Sequence, residues 1–563
     1  MFKAKKIKII PVILVLISTF FFCLTMFKSG LKYEYGLGFW GPNGHDAIWH
    51  LSLINQLKKQ VPPRNPIYSG TLLNNYHWGF DFLVALISNL TKLSSSFLYF
   101  QVLPIIFSFL IGFLSYKLAF LVTKNRITSV IFIFLNYFAG SFGWIYTLLK
   151  NHQIGGESLF WSMQSVSTLL NPPFALSLIL ILIGLILWHK NRSSNSIKMA
   201  ILIGLIFGLL SGIKIYAGIL IGLSLSLYWL FNVFSSKKIF GFNFIVCLTM
   251  ATVSLFILFL LGVLQGNQLL EFKPFWFTSS MIQSIDKFYW PKLASFKFNQ
   301  SNILISLIIE IGLIFIFIIG NLGLRFLGFF TFLSKKTKKV LTDFDKLIIF
   351  IFLFSLSIPL LFVQKGTAWN TIQFLYYFLF FANLYLAIFL SNLWSKHKIL
   401  VFVLLFLSSI TSIGTLKDYF GNPSPSFLPK PEIEALSFLK QQPRTDSVLT
   451  YPYDKYKKEK MTTPIPLYTY ETTAYVSAFS EKTTFLEDEM NLDIIGFNWK
   501  KRRLEEEKLF SSTDKSFIDG FLISENIDYI YLVKDQNFAL NTSDLQIDEI
   551  FNNGQVRIYK VRR

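Results

Sequence analysis

The chain has 563 residues, 53% of them hydrophobic and 18% aromatic, with 63 phenylalanines and a net charge of +21. Mean hydropathy of +0.50 and repeated apolar runs of about 20 residues exclude an ordinary soluble domain and mark a polytopic membrane protein. The positive charge sits in short loops between apolar runs with no recognition motif beside it, which argues for positive-inside bias and against nucleic acid as a partner.

The basic residues Lys3, Lys5, Lys6 and Lys8 precede the first apolar run, 7–27. That run is long for a signal peptide and no small-x-small cleavage site follows it, so it reads as an uncleaved first span. Further spans are expected near 97–123, 127–148, 172–189, 198–212, 214–234, 240–264, 301–324, 346–363, 371–392 and 398–414, about eleven transmembrane helices in all. With that number, Lys124 and Arg126, Lys190, Arg192 and Lys198, Lys237 and Lys238, Arg325 with Lys335, Lys336, Lys338 and Lys339, and Lys396 and Lys398 all fall on the N-terminal side, the cytoplasm. Residues 1–414 hold 33 Lys and Arg against 9 Asp and Glu, a charge of +24; residues 415–563 hold 20 against 23, a charge of −3. The first loop (28–96), the loops 149–171, 265–300 and 364–370, and the tail then face outward. The stretch 198–234 is read as two spans with a tight turn at Gly212–Lys214, because broken, Gly-rich helices are tolerated where they line a cavity. One long span there would turn the tail inward. Cys23 and Cys247 both lie in apolar runs, which leaves no disulfide framework and no thiolate metal site.

The Pro- and Ser-rich stretch "GNPSPSFLPKP" ends a linker, 415–431, and opens a soluble domain over 432–563. A helix at Glu432–Gln441 and a strand at Ser447–Tyr451 come first. Helices around Trp499–Phe510 and Ser516–Glu525 follow, then strands at Asp528–Val533 and Gln555–Val561, a small α/β domain.

The first loop carries the informative polar residues. Asp46 opens a helix, Ala47–Gln60, and a carboxylate suits a helix N-terminus as a cap. Ile48, Leu51, Ile54 and Leu57 form an apolar stripe, and Asp46, Trp49, His50 and Leu53 share the neighbouring face. A helix lying on the membrane surface then holds Asp46 and His50 together with Trp49 at the interface. His45, Asp46 and His50 are also ligand types for a divalent metal, but no third strong ligand stands at fixed spacing, so metal dependence stays open. In "LLNNYHWGFDFLVALISNL", an aromatic belt accounts for Tyr76 and Trp78 but not for His77 and Asp81. The apolar stretch after them is too short for a span and fits a re-entrant or surface helix. Lys214, between two apolar halves, either snorkels or binds an anion such as a phosphate. At the start of the tenth span stand Lys365, Asn370 and Gln373, the last two on one face. "NPPF" at Asn171–Phe174 reads as an ordinary helix start.

This layout resembles the GT-C superfamily of polyprenyl-phosphate-sugar glycosyltransferases, which includes protein O-mannosyltransferases and aminoarabinose transferases. The likeness rests on "GHDAIWHLSLINQL", on "PPRNPIYSGTLLNNYHWGFDFLVAL", on "GLLSGIKIYAG" and on the outward tail. The resemblance implies transfer of a sugar from a polyprenyl-phosphate donor to a glycan, lipid or protein acceptor on the outer face of the cytoplasmic membrane, with inversion. It implies that Asp46 is the catalytic base and that Lys214 and Lys365 hold the phosphate. His45, His50, Tyr76, His77, Asp81, Asn370 and Gln373 then shape the substrate site. Many members carry paired acidic residues in this loop, whereas His45–Asp46 stands alone here. The absence of a Trp-Trp-Asp motif argues against an oligosaccharyltransferase catalytic subunit. A transporter or lipid flippase is the first alternative, but Glu310 is the main charge buried mid-span and no repeat is visible. A non-catalytic scaffold is the second, and it leaves the His/Asp loop without a reason.

Overall fold

The computed structural model describes residues 2–194, 196–236, 239–263, 270–299, 302–337, 341–443 and 447–563. Lys237, Lys238, Lys338 and Lys339, part of the charge pattern above, lie outside the described residues. Among the described residues nine helices are long and apolar enough to cross a membrane: Ile9–Phe27, Ser95–Thr123, Pro172–Asn191, Ile215–Ser235, Phe242–Leu260, Ile303–Lys336, Asp343–Leu361, Ala368–Trp394 and Lys398–Gly421. The expected span 127–148 is a pair, Arg126–Phe138 and Gly143–Asn151, bent by 45°. The expected span 198–212 is a shorter apolar helix, Ile197–Ile213. Over the described residues each expected span is therefore mainly helical, and nine, or ten if the bent pair is one span, rather than eleven have full membrane length. The last helix continues to Gly421, because Gly421, Asn422 and Pro423 are the first breakers after its apolar run.

The chain divides into two compact units. The first holds Met1–Thr25, Pro104–Leu258 and Gln268–Asn422. Within it, Ile197–Ile213 and Ile215–Ser236 pack side by side and are separated by Lys214 alone, whose backbone is extended (φ −152°, ψ 102°). Two helices, not one long one, therefore occupy 198–234. Arg325 corrects the charge reading. It lies inside the Ile303–Lys336 helix at 1% exposure. It donates to Asn383 Oδ1 at 2.7 Å, Gln164 Oε1 at 2.8 Å and the Ala139 carbonyl at 2.8 Å. A buried guanidinium persists only when its donors are matched in this way, so Arg325 pins neighbouring segments and is not a loop charge. Glu310 is likewise paired, with Lys297 and the Thr278 hydroxyl, as expected for a structural pair in an apolar setting.

The second unit joins Met26–Leu103, Phe259–Asn267 and Pro423–Arg563. The first loop and the tail share one sheet, in the order Lys32–Tyr33, Gly36–Phe39, Ser426–Pro429, Ile465–Pro466. Gly36 has φ +137°, and a Cβ there would stand 2.0 Å from the Leu428 carbonyl oxygen, so only glycine allows this pairing. A second sheet runs Val448–Thr450, Tyr529–Val533, Val556–Val561, Ile547–Asn552, the first pair parallel and the others antiparallel. It contains the strands expected near 447, 528 and 555. The helices Lys430–Gln441, Lys500–Ser511 and Lys515–Ser524 also stand where the sequence places them.

The helix Asp46–Leu57 overturns the surface-helix expectation. Every residue from Ala47 to Leu57 is buried. One side meets the helix Gly79–Thr91 and another meets Tyr475–Ser480 of the tail. Trp49 is 1% exposed and not at an interface. Burying Trp49, Leu51, Leu53, Ile54 and Leu57 stabilises the unit by roughly 1.5–3 kcal/mol per large side chain. The polar positions are matched locally: Asn55 Nδ2 donates to the Ala478 carbonyl at 2.8 Å and Ser52 Oγ to that of Trp49 at 2.7 Å.

Candidate active site

A short turn, Gly41–Gly44, leads from the strand Gly36–Phe39 into the Asp46–Leu57 helix. A Cβ on Gly44 would lie 2.2 Å from Ser426 Oγ. This close approach sets where His45 and Asp46 emerge. Asp46 is not the cap. His45 occupies that position, without a side-chain capping bond, and Asp46 is the first helical residue. Its carboxylate thus lies in the first turn, where the helix dipole favours negative charge, and its side chain is 52% exposed.

His45 lies between two carboxylates. Its Nδ1 is 3.0 Å from Asp46 Oδ1 and its Nε2 is 3.1 Å from Asp488 Oδ1. Both ring nitrogens face carboxylate oxygens, an arrangement that favours the doubly protonated ring. Burial alone would lower its pKa, but the Asp488 charge and the hydrogen bonds to Asp46 and Asp488 hold it well above the usual histidine value. Asp488 is fully buried. It caps the helix Glu489–Ile495 from a left-handed conformation (φ +46°) and accepts from Asn491 N at 3.2 Å and Asn491 Nδ2 at 2.7 Å. A non-glycine residue held there is costly and is retained where surrounding contacts fix it. Nothing in the sequence around Asp488 marks it as a partner of His45.

His50 does not meet Asp46. Its Nδ1 donates to Asp81 Oδ1 at 2.7 Å, joining the helix Asp46–Leu57 to Gly79–Thr91. Rings of Tyr76, Phe80 and Tyr99 surround the imidazole, with centroids 6.3, 5.9 and 5.7 Å away. Tyr76 also stacks on His77 at 4.8 Å and meets Trp49 edge-on at 5.3 Å. The helix Gly79–Thr91 buries Phe80, Asp81, Val84, Ala85 and Ser88 and leaves Phe82, Leu86 and Leu90 exposed. Asp81 is thus the carboxylate that orients His50, a role that helix spacing assigned to Asp46. The suggested His45–Asp46–His50 metal trio is not assembled. Among the described residues no group of three or more His, Cys, Asp or Glu side chains stands in a metal-holding arrangement.

The remaining candidates belong to the first unit. Lys214 is buried at 4% exposure, with Nζ 3.3 Å from Asn171 Oδ1 and 5.3 Å from the Tyr216 ring centre. It therefore does not snorkel into solvent. Asn171, the residue that opens "NPPF", also accepts from Phe174 N at 3.1 Å, so that motif is a neighbour of Lys214 as well as a helix start. Tyr216 donates to Gln364 Oε1 at 2.5 Å, next to the exposed Lys365. Gln373 Nε2 donates to Asn370 Oδ1 at 3.4 Å.

No family model and no curated protein matches the sequence. Solved structures do. The oligosaccharyltransferase of Archaeoglobus fulgidus, tethered with an acceptor peptide containing the NVT sequon, is 12% identical with a TM-score of 0.50 over 93% of this chain and 69% of that one. The archaeal oligosaccharyltransferase AglB from the same organism, in complex with an inhibitory peptide and a dolichol-phosphate, is 13% identical at 0.50 over 95% and 70%. The A. fulgidus oligosaccharyltransferase in complex with Zn and sulfate is 15% identical at 0.50 over 93% and 68%. At such identities the likeness is one of architecture: the chain shares the fold of these membrane oligosaccharyltransferases.

Proposed function

We propose that this protein is a membrane glycosyltransferase that moves a sugar from a polyprenyl-phosphate donor to an acceptor at the outer face of the cytoplasmic membrane. The observation that carries this reading is Asp46: a half-exposed carboxylate at a helix N-terminus, anchored through His45 to a buried second carboxylate, in a chain with the GT-C fold. The donor class draws on the dolichol-phosphate bound in one structural neighbour.

In the reaction, the acceptor oxygen forms a bond to the anomeric carbon while the bond from that carbon to the phosphate oxygen breaks. The acceptor proton passes to Asp46, and the departing electron pair remains on the lipid phosphate. Attack opposite the leaving phosphate inverts the anomeric centre. Asp46 is the general base. His45 is a positioning residue: it fixes one carboxylate oxygen by a charged hydrogen bond and itself stays protonated. Lys214, supported by Asn171, and Lys365 supply positive charge for the phosphate. Tyr76, His77, His50 and Asp81 of the first loop, and Asn370 and Gln373 at the start of the tenth span, are assigned to substrate binding. No step is assigned to a metal, because no ligand set is assembled among the described residues.

The test is sugar transfer in membranes supplied with a polyprenyl-phosphate sugar. Asp46→Asn should abolish transfer with expression unchanged. Transfer at the wild-type rate would remove Asp46 from catalysis.

A further inference from the structure

The chemistry above uses Asp488 only to hold His45, yet Asp488 also lines a pocket built wholly from residues 450–536. Glu471, Glu487, Glu489 and Glu506 share its wall with Arg503. This inner pocket has a volume of about 50 Å³. A wider cleft of about 590 Å³ shares Tyr451, Tyr453, Thr472, Glu489 and Arg503 with it. That volume falls within the roughly 300–1,000 Å³ of small-molecule sites.

Two atoms in the wall of the inner, 50 Å³ pocket point to a ligand that reaches into it from the cleft. Glu506 Oε1 and Thr473 Oγ1 have no hydrogen-bond partner among the described residues, although the two residues are 1% and 5% exposed. Buried polar atoms are nearly always matched, so a ligand that brings hydroxyl or amine groups is favoured here. The charge balance narrows its class. Five carboxyl groups and one guanidinium line the inner pocket; burial pushes Glu487 up to about 8 and Glu506 well above the usual carboxylate range, and Arg503 is already engaged by Glu489 at 2.8 Å and Glu507 at 2.7 Å. The guanidinium of the inner pocket is thus already paired, so the pocket does not suit the phosphate of the lipid donor. It also lacks a metal-holding group among the described residues. Tyrosine rings give flat apolar faces with polar tips, which match the C–H faces and hydroxyl edges of a pyranose.

We infer that this cleft binds a neutral or amino-bearing saccharide, the acceptor of the transfer reaction. Its role as acceptor rests on the glycosyltransferase reading; the binding itself does not. Asp488, in the wall of the inner pocket, is the residue bonded to His45.

The experiment is saturation-transfer NMR on the full-length protein in detergent, with free glucose, galactose, glucosamine and N-acetylglucosamine as probes. Ring protons of at least one probe should receive saturation from the wild type. Thr473→Val keeps the side-chain volume and removes the unmatched hydroxyl, and Tyr453→Ala removes a ring of the cleft. Each should weaken binding about tenfold, the equivalent of roughly 1.4 kcal/mol. Saturation of no probe, or equal saturation in the wild type and in Thr473→Val and Tyr453→Ala, would overturn the inference. Neither outcome touches the transfer assay on Asp46→Asn, which tests the glycosyltransferase reading separately.

Discussion

His45 Nε2 lies 3.1 Å from Asp488 Oδ1, across 443 positions of sequence. This bond ties the first loop to the tail at the residue next to the proposed base. It makes the tail a part of the site: without Asp488, His45 loses one of the two carboxylates that keep it charged.

Asp488→Asn should therefore weaken both stability and transfer. Removing one partner of a buried ion pair costs on the order of 3 kcal/mol. The pH sense follows from the raised pKa of His45. Its contribution is complete below the ordinary histidine value and is lost as pH rises through the folded value. In Asp488→Asn that loss should move to lower pH, so the alkaline limb of the transfer profile shifts toward neutrality. A pH–rate profile compared with wild type checks this. An unshifted limb would show that Asp488 does not sustain the His45 charge.

Glu432 gives a second pH effect, in the core of the tail. Burial pushes its carboxyl up to about 7, against the hydrogen bond it accepts from Tyr531 at 2.9 Å. A carboxyl with a raised folded pKa stabilises fully below its unfolded value and loses that contribution as pH rises through about 7. The amount at stake is about 3 kcal/mol, at roughly 1.4 kcal/mol per pKa unit. Glu432→Gln should flatten the decline in thermal-unfolding midpoint between acid and neutral pH. A decline as steep as that of wild type would assign it to another group.

Lys214→Ala should raise the dissociation constant for a polyprenyl phosphate about tenfold, roughly 1.4 kcal/mol, with less effect on the rate at saturation. Titration of the purified protein with the lipid phosphate measures it. An unchanged constant would restrict Lys214 to its bond with Asn171.

Ser437 lies exposed on the helix Lys430–Gln441, while Cys23 is buried and both native cysteines lie in membrane-length helices. Ser437→Cys should react with an impermeant maleimide added to intact cells. Reaction only after lysis would place the tail inside.

The sequence by itself determined the membrane class, the position of each apolar helix and most of the regular elements of the tail. These follow from local causes: apolar length, capping and breaking residues, and the alternation of strands. The break at Lys214 was legible for the same reason. The pairing of the polar residues was not. Periodicity placed Asp46 and His50 on neighbouring helix faces, and both remain site candidates, but it could not say which carboxylate each imidazole meets. Tertiary structure assigned Asp81 to His50 and Asp488 to His45, because burial of the Asp46–Leu57 helix on all sides brings carboxylates from 31 and 443 residues away against it. Arg325 shows the same division. Sequence read its charge as a loop marker, and only the surrounding carbonyls and amides, from segments 58 to 186 residues distant, make a buried guanidinium stable there. Local physics sets where the chain turns and which segments are apolar. Which charges meet is decided by packing, since an unpaired buried charge is too costly to leave and its partner can come from anywhere in the chain.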